Sequence, residues 1–191
     1  MIATERFASI LEALHSRRIA VAWEMLGVLS AEERQSPEAE ALVALTLVRA
    51  GRLQEAQDGL ARLLGEEPLP EALRVHAESL GDLLFADAVA LHKAGGLGEA
   101  LFLYQMVARL QPGRPAVCHN LMELVRQVAR WPAGTDPKKQ GDLFRAATAL
   151  LAREGRFDEA NECCAIAVKA LIDIPPVPVV RAPRAGRRLG S

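Results

Sequence analysis

Three times along this chain a glycine introduces the same six-residue pattern. The copies are Gly51-Arg52-Leu53-Gln54-Glu55-Ala56, Gly95-Gly96-Leu97-Gly98-Glu99-Ala100 and Gly155-Arg156-Phe157-Asp158-Glu159-Ala160. In each, an apolar residue follows the glycine by two positions, a glutamate by four and an alanine by five. Each pattern lies between two segments whose apolar residues recur at helical spacing. A glycine there lets one helix end in a left-handed turn, and the small alanine lets the next helix lie close against it. The chain is therefore predicted to fold as a string of helical hairpins.

The remaining Gly and Pro residues fall at the ends of the apolar-periodic segments, as helix start and stop signals should. Ser36-Pro37-Glu38 reads as an N-cap, a first-turn proline and an acidic first turn. From it a helix is predicted to run to Ala50, and a second from Arg52 to Leu64. Pro70 is predicted to open one long helix reaching Ala94. Leu97–Leu110, Pro115–Arg130, a helix from Asp136-Pro137 to Glu154, and Arg156–Ile172 follow. Residues 3–15 and 18–30 form another helical pair upstream. No window alternates with period two, so the expected class is all-α, without a sheet. The domain is expected to span residues 1–173. From residue 174 the sequence IPPVPVVRAPRAGRRLGS is rich in Pro and Arg, lacks acids and reads as a flexible tail.

These patterns resemble the tetratricopeptide repeat (TPR) family, whose 34-residue unit is a helix-turn-helix. Ala44, Leu47, Ala56, Leu60 and Pro68 occupy its signature positions in a first unit. In a second unit Ala88, Leu91, Ala100, Tyr104 and Pro112 do so. In a third, Thr148, Leu151, Ala160, Cys164 and Ala167 correspond, with Ile172 in place of the usual proline. Ala22 lies one repeat length before Ala56 and suggests an earlier unit in which Arg17 stands at the turn glycine. The alanines are 44 and 60 residues apart at Ala56–Ala100 and Ala100–Ala160. The expected array is therefore an irregular superhelix of three to four repeats, with an extra helix near 116–130.

The resemblance implies a protein-protein interaction module, with the first helix of each unit lining a concave face. Carried onto this chain, the partner-binding residues are Leu42, Leu45 and Val48 in one unit and Phe85, Val89 and His92 in the next. Ala41, Ala86 and Lys93 flank them, and Arg145, Ala146, Ala149 and Arg153 correspond in the third. A clamp for a free carboxylate needs Lys, Arg and Asn here, whereas the first unit offers only apolar groups. An apolar groove suits an amphipathic helix or an extended apolar segment. The other reading of the same residues is ordinary core, covered by the Pro70 helix or the N-terminal pair.

Composition bears on the function classes. With 23 basic and 24 acidic residues and a formal charge of −1, nothing predicts nucleic acid or an anionic membrane as partner. No stretch approaches the roughly 20 apolar residues of a membrane span, and Glu5 and Arg6 stand where a secretory signal would begin its apolar run. A cytoplasmic location follows as the expectation. Cys118, Cys163 and Cys164 lack the spacing of a zinc site and read as structural thiols. His15, His76, His92 and His119 are scattered singly, and Gly95-Gly96-Leu97-Gly98 is the turn of a repeat, not a phosphate loop. No cofactor, no metal and no enzymatic activity are expected. The expected function is that of an adaptor or chaperone-like protein holding a partner polypeptide, with size and groove composition similar to small secretion-system chaperones. The alternatives are a scaffold subunit that self-assembles as a homo-oligomer or joins a larger complex, and a regulatory subunit of a separately encoded enzyme.

Overall fold

The fold is taken from a computed structural model, which describes residues 2, 4–65, 68–132 and 135–170. The described residues form eleven α-helices and no strand. The expected all-α class is therefore what the chain adopts. The Pro/Arg-rich segment from residue 174, the Glu66-Glu67 pair and Ile172 lie outside the described residues.

The chain divides into two compact units, residues 1–117 and 118–191. The first contains α1 (Thr4–His15), α2 (Ile19–Gly27), α3 (Ala31–Arg34), α4 (Pro37–Arg49), α5 (Leu53–Gly65), α6 (Glu71–Arg74), α7 (Ala77–Lys93) and α8 (Leu97–Leu110). The boundary falls within α9 (Pro115–Ala129), and the second unit continues with α10 (Pro137–Arg153) and α11 (Phe157–Lys169).

Four antiparallel hairpins, α1/α2, α4/α5, α7/α8 and α10/α11, are closed by one backbone device. Gly51, Gly95 and Gly155 have φ of 76°, 86° and 73°, and Arg17 has φ of 54°. At each turn the left-handed residue donates its N–H to the carbonyl three residues back. The next residue donates to the carbonyl five back. Arg17 N bonds Leu14 O at 3.0 Å and Arg18 N bonds Ala13 O at 2.8 Å; Gly95 N bonds His92 O at 3.1 Å and Gly96 N bonds Leu91 O at 2.9 Å. These are Schellman closures, which satisfy carbonyls that a helix end leaves without partners. Five residues after each turn stand Ala22, Ala56, Ala100 and Ala160, all buried. The hairpin at Arg17 shows that the early unit uses the same turn without the glycine.

Caps read from the sequence are present. Ser36 Oγ accepts from Ala39 N at 3.2 Å and Asp136 Oδ1 accepts from Lys138 N at 3.0 Å. Two boundaries differ from expectation. The helix predicted from Pro70 to Ala94 is two helices, α6 and α7, parted at Val75 and His76. No Gly or Pro marks this break, and the His76 ring there stacks on Phe7 of α1, with centroids 3.8 Å apart. The helix predicted over 18–30 ends at Gly27, and Ser30 opens α3 with a capping box. Glu33 N donates to Ser30 Oγ at 3.1 Å while Ser30 N donates to Glu33 Oε2 at 2.8 Å.

In the first unit α4 is the central helix, packed against α1, α2, α3, α5, α6 and α7. Its apolar residues are accordingly covered nearly all round. In the second unit the α10/α11 hairpin holds Phe144, Ala147, Leu151, Cys163 and Ala167 in its core. Gln140 Nε2 donates to Val128 O at 2.8 Å, joining α10 to the end of α9.

Candidate functional site

The position of α4 decides the fate of the first set of groove residues. Leu42 and Leu45 are 0% and 1% exposed, and Val48 is 8% exposed. Side chains at that level offer no surface to a partner, so these three are core of the first unit. The N-terminal pair and α6 pack on α4. His92 is also buried, with Nδ1 3.3 Å from the Tyr104 hydroxyl oxygen.

Phe85 and Val89 differ. Both are half-buried on α7, and Ala86, Ala90 and Lys93 beside them are exposed. Positions 82, 85, 86, 89 and 93 recur at helical spacing and form one stripe. The inner edge of Phe85 is tilted against Tyr104, with centroids 6.1 Å apart. Its other side is met by the Arg114 guanidinium, 4.1 Å from the ring centroid. Arg114 is held in turn by Asp82 Oδ1 at 2.7 Å. The stripe is thus apolar in the middle, with Asp82 and Arg114 at one end and Lys93 at the other.

A second clasp fixes the same end. Gln111, the C-cap of α8, lies across Gly81 of α7, where a Cβ would come within 2.6 Å of its side chain. Its Nε2 donates to Glu78 O at 2.9 Å and to Asp82 Oδ1 at 3.3 Å. Only a glycine at 81 allows that approach. The hairpin α7/α8 is therefore locked at the end where the stripe carries its charges.

A buried ion pair lies behind the stripe on the same helix. Arg49 Nε donates to Asp87 Oδ2 at 3.0 Å, and its Nη1 donates to Leu14 O at 2.5 Å. One guanidinium from α4 thus ties α7 to the C-terminal turn of α1. Burial pushes the Asp87 carboxyl above its ordinary pKa, and the charges of Arg49 and Arg17 pull it back. Sequence inspection missed Arg49, Asp87, Gln111 and Arg114. Arg49 and Asp87 carried one signal, charge inside otherwise apolar helical segments, and Gln111 and Arg114, in the turn between α8 and α9, carried none.

In the second unit Ala149 and Arg153 are exposed, while Arg145 and Ala146 are half-buried and Arg145 pairs with Asp142. Cys163 is buried, accepts from Thr148 Oγ1 at 3.0 Å, and is pushed up to about 11 by burial. Cys118 is buried too and its thiol is likewise raised by burial. Cys164 is only half-buried. Among the described residues no group of three His, Cys, Asp or Glu side chains is placed to hold a metal ion. None of the described helices is long and apolar enough to cross a membrane.

No family model, no curated protein and no solved structure matches this chain.

Proposed function

We propose that this chain is a TPR-like interaction protein that holds a partner polypeptide and does not catalyse. The observation that carries the proposal is the α7 stripe, where Phe85 and Val89 are only half-buried on a hairpin that is otherwise locked. Four hairpins closed by the same turn support the likeness to helical repeats. An apolar strip with charges at both ends suits an amphipathic helix, whose apolar face would lie on Phe85 and Val89. The surface is smaller than the sequence implied, because Leu42, Leu45, Val48 and His92 belong to the interior. A cytoplasmic location belongs to the same proposal.

Asp at Leu45 would unfold the protein and reveal nothing about binding. Ala86→Glu and Val89→Asp are the informative changes, because both act at the stripe. Co-purification with each variant should lose the partner while helix content and melting stay close to wild type. A folded variant that retains its partner would remove the stripe from the function. A second proposal, self-assembly, is supported by exposed Val21 and Val28, 37% and 75% exposed at α2 and its C-cap. Sedimentation of the purified chain separates the two: the first predicts a monomer until the partner is added, the second a larger species alone.

A further inference from the structure

Three elements of the first unit meet at the break between α6 and α7. Phe7 comes from α1 and is 1% exposed; Glu38 comes from the first turn of α4 and is 4% exposed. His76 sits between α6 and α7, half-buried, its ring nearly parallel to Phe7 at an interplanar angle of 21°. Glu38 Oε2 is buried and has no hydrogen-bond partner among the described residues. Such an atom is costly, because a carboxylate oxygen loses its water and gains nothing in exchange. His76 is the titratable group whose ring feels the Glu38 charge. A neutral ring carries a single N–H, and in its position stacked on Phe7 it makes no hydrogen bond to that oxygen.

We propose that His76 and Glu38 form a protonation latch at this junction. With a neutral ring His76 stays stacked on Phe7. When the ring takes a proton from solvent it becomes an imidazolium N–H donor to Glu38 Oε2, exchanging its contact with α1 for one with α4. The oxygen gains a charge-assisted hydrogen bond and Phe7 loses its cover. Because Val75 and His76 are already a gap between two helices, the ring can turn without breaking a helical ladder.

Burial holds the His76 pKa below its ordinary value, and the Glu38 charge opposes that shift. Glu38 is the charge acting on the ring. On α1, Arg6 is bonded to Glu33, His15 lies on Leu11 O, and Glu5 and Glu12 are exposed. Glu71 and Arg74 of α6 pair with each other. On α4, Glu40 pairs with Arg62 and Arg49 with Asp87. On α7, Asp82 pairs with Arg114, and Glu78 and Lys93 are exposed. The sign follows. A histidine whose folded pKa lies below the unfolded one keeps its stabilising arrangement above the ordinary value of about 6.5 and loses it as pH falls further.

The test follows the His76 ring by NMR and the amide exchange protection of α1 and α4 between pH 7.5 and 5. In the wild type, α1 protection should fall along the His76 titration while α4 protection holds. Flat α1 protection across that titration would overturn the latch without any variant being needed. His76→Phe keeps an aromatic ring on Phe7 and cannot be protonated, so the pH-dependent loss should vanish; a loss that persists would also overturn it. Glu38→Gln should move the His76 titration further down. An unmoved titration would mean that Glu38 Oε2 is served by an ordered water only, and the pairing would be refuted.

Discussion

Replacing Arg49 by Met keeps most of the aliphatic volume and removes the guanidinium. The Arg49 and Asp87 side chains are 6% and 12% exposed, so the pair is not a surface bridge. At 3.0 Å and an effective dielectric near 20, the gross attraction is about 5 kcal/mol. Desolvation of both ions offsets much of that, but deleting one partner leaves the other buried and uncompensated. A loss of about 3–5 kcal/mol is expected at pH 7.5, with the donor to Leu14 O lost as well. Without Arg49, burial raises the Asp87 pKa further. A carboxyl raised on folding stabilises most below its unfolded value of about 3.9 and stabilises less as pH rises through its folded value. The penalty of Arg49→Met should therefore shrink as pH is lowered to 4.5, because more of Asp87 is then protonated. Adding Asp87→Asn should recover a large part of the loss. Urea unfolding followed by Trp23 fluorescence in a Trp131→Phe background reports the first unit alone. A penalty under about 1 kcal/mol, equal at both pH values and unaffected by Asp87→Asn, would refute the reasoning.

Other substitutions probe the hairpins and caps. Ala100, which is 0% exposed, should not accept a larger side chain; Ala100→Trp should cost at least about 1–3 kcal/mol by overpacking, and a wild-type melt would contradict that. Gly155→Val should cost about 1–2 kcal/mol, since φ of 73° is strained for a side chain; chemical denaturation of the second unit, followed by Trp131, checks it. At Arg17, φ of 54° gives the opposite sign: Arg17→Gly should stabilise by about 0.5–1 kcal/mol, and a loss would show that Arg17 acts mainly through Asp87. Ser30→Ala should cost about 1 kcal/mol and melt α3 first, seen as faster exchange at Glu33.

Helix ends were legible in the sequence where a local signal exists. Gly51, Gly95 and Gly155 mark turns because few other residues adopt positive φ, and Ser36-Pro37 and Asp136-Pro137 mark starts because cap and proline act within one turn. The break at His76 was not legible, because it coincides with a contact to Phe7, 69 positions away in the chain (76 − 7). Ser30-Ala31-Glu32-Glu33 did carry a capping signature, but its helix is four residues long and too short to show a period. The groove residues illustrate a different limit. Leu45 and Val89 occupy equivalent register positions, yet α4 is enclosed by six helices while the α7 stripe is not. Periodicity reports which face of a helix is apolar, and it does not report what covers that face.

The claim that the α7 stripe holds a partner polypeptide is tested most directly by placing a photo-crosslinking residue at Ala86. The same residue at Asp58, exposed on α5 of the same unit, serves as control. Irradiation in the native source should give one polypeptide adduct at 86, identifiable by mass spectrometry, none at 58, and none at 86 once Val89→Asp is added. Equal labelling at both positions, no adduct at 86, or an adduct indifferent to Val89→Asp would contradict the claim.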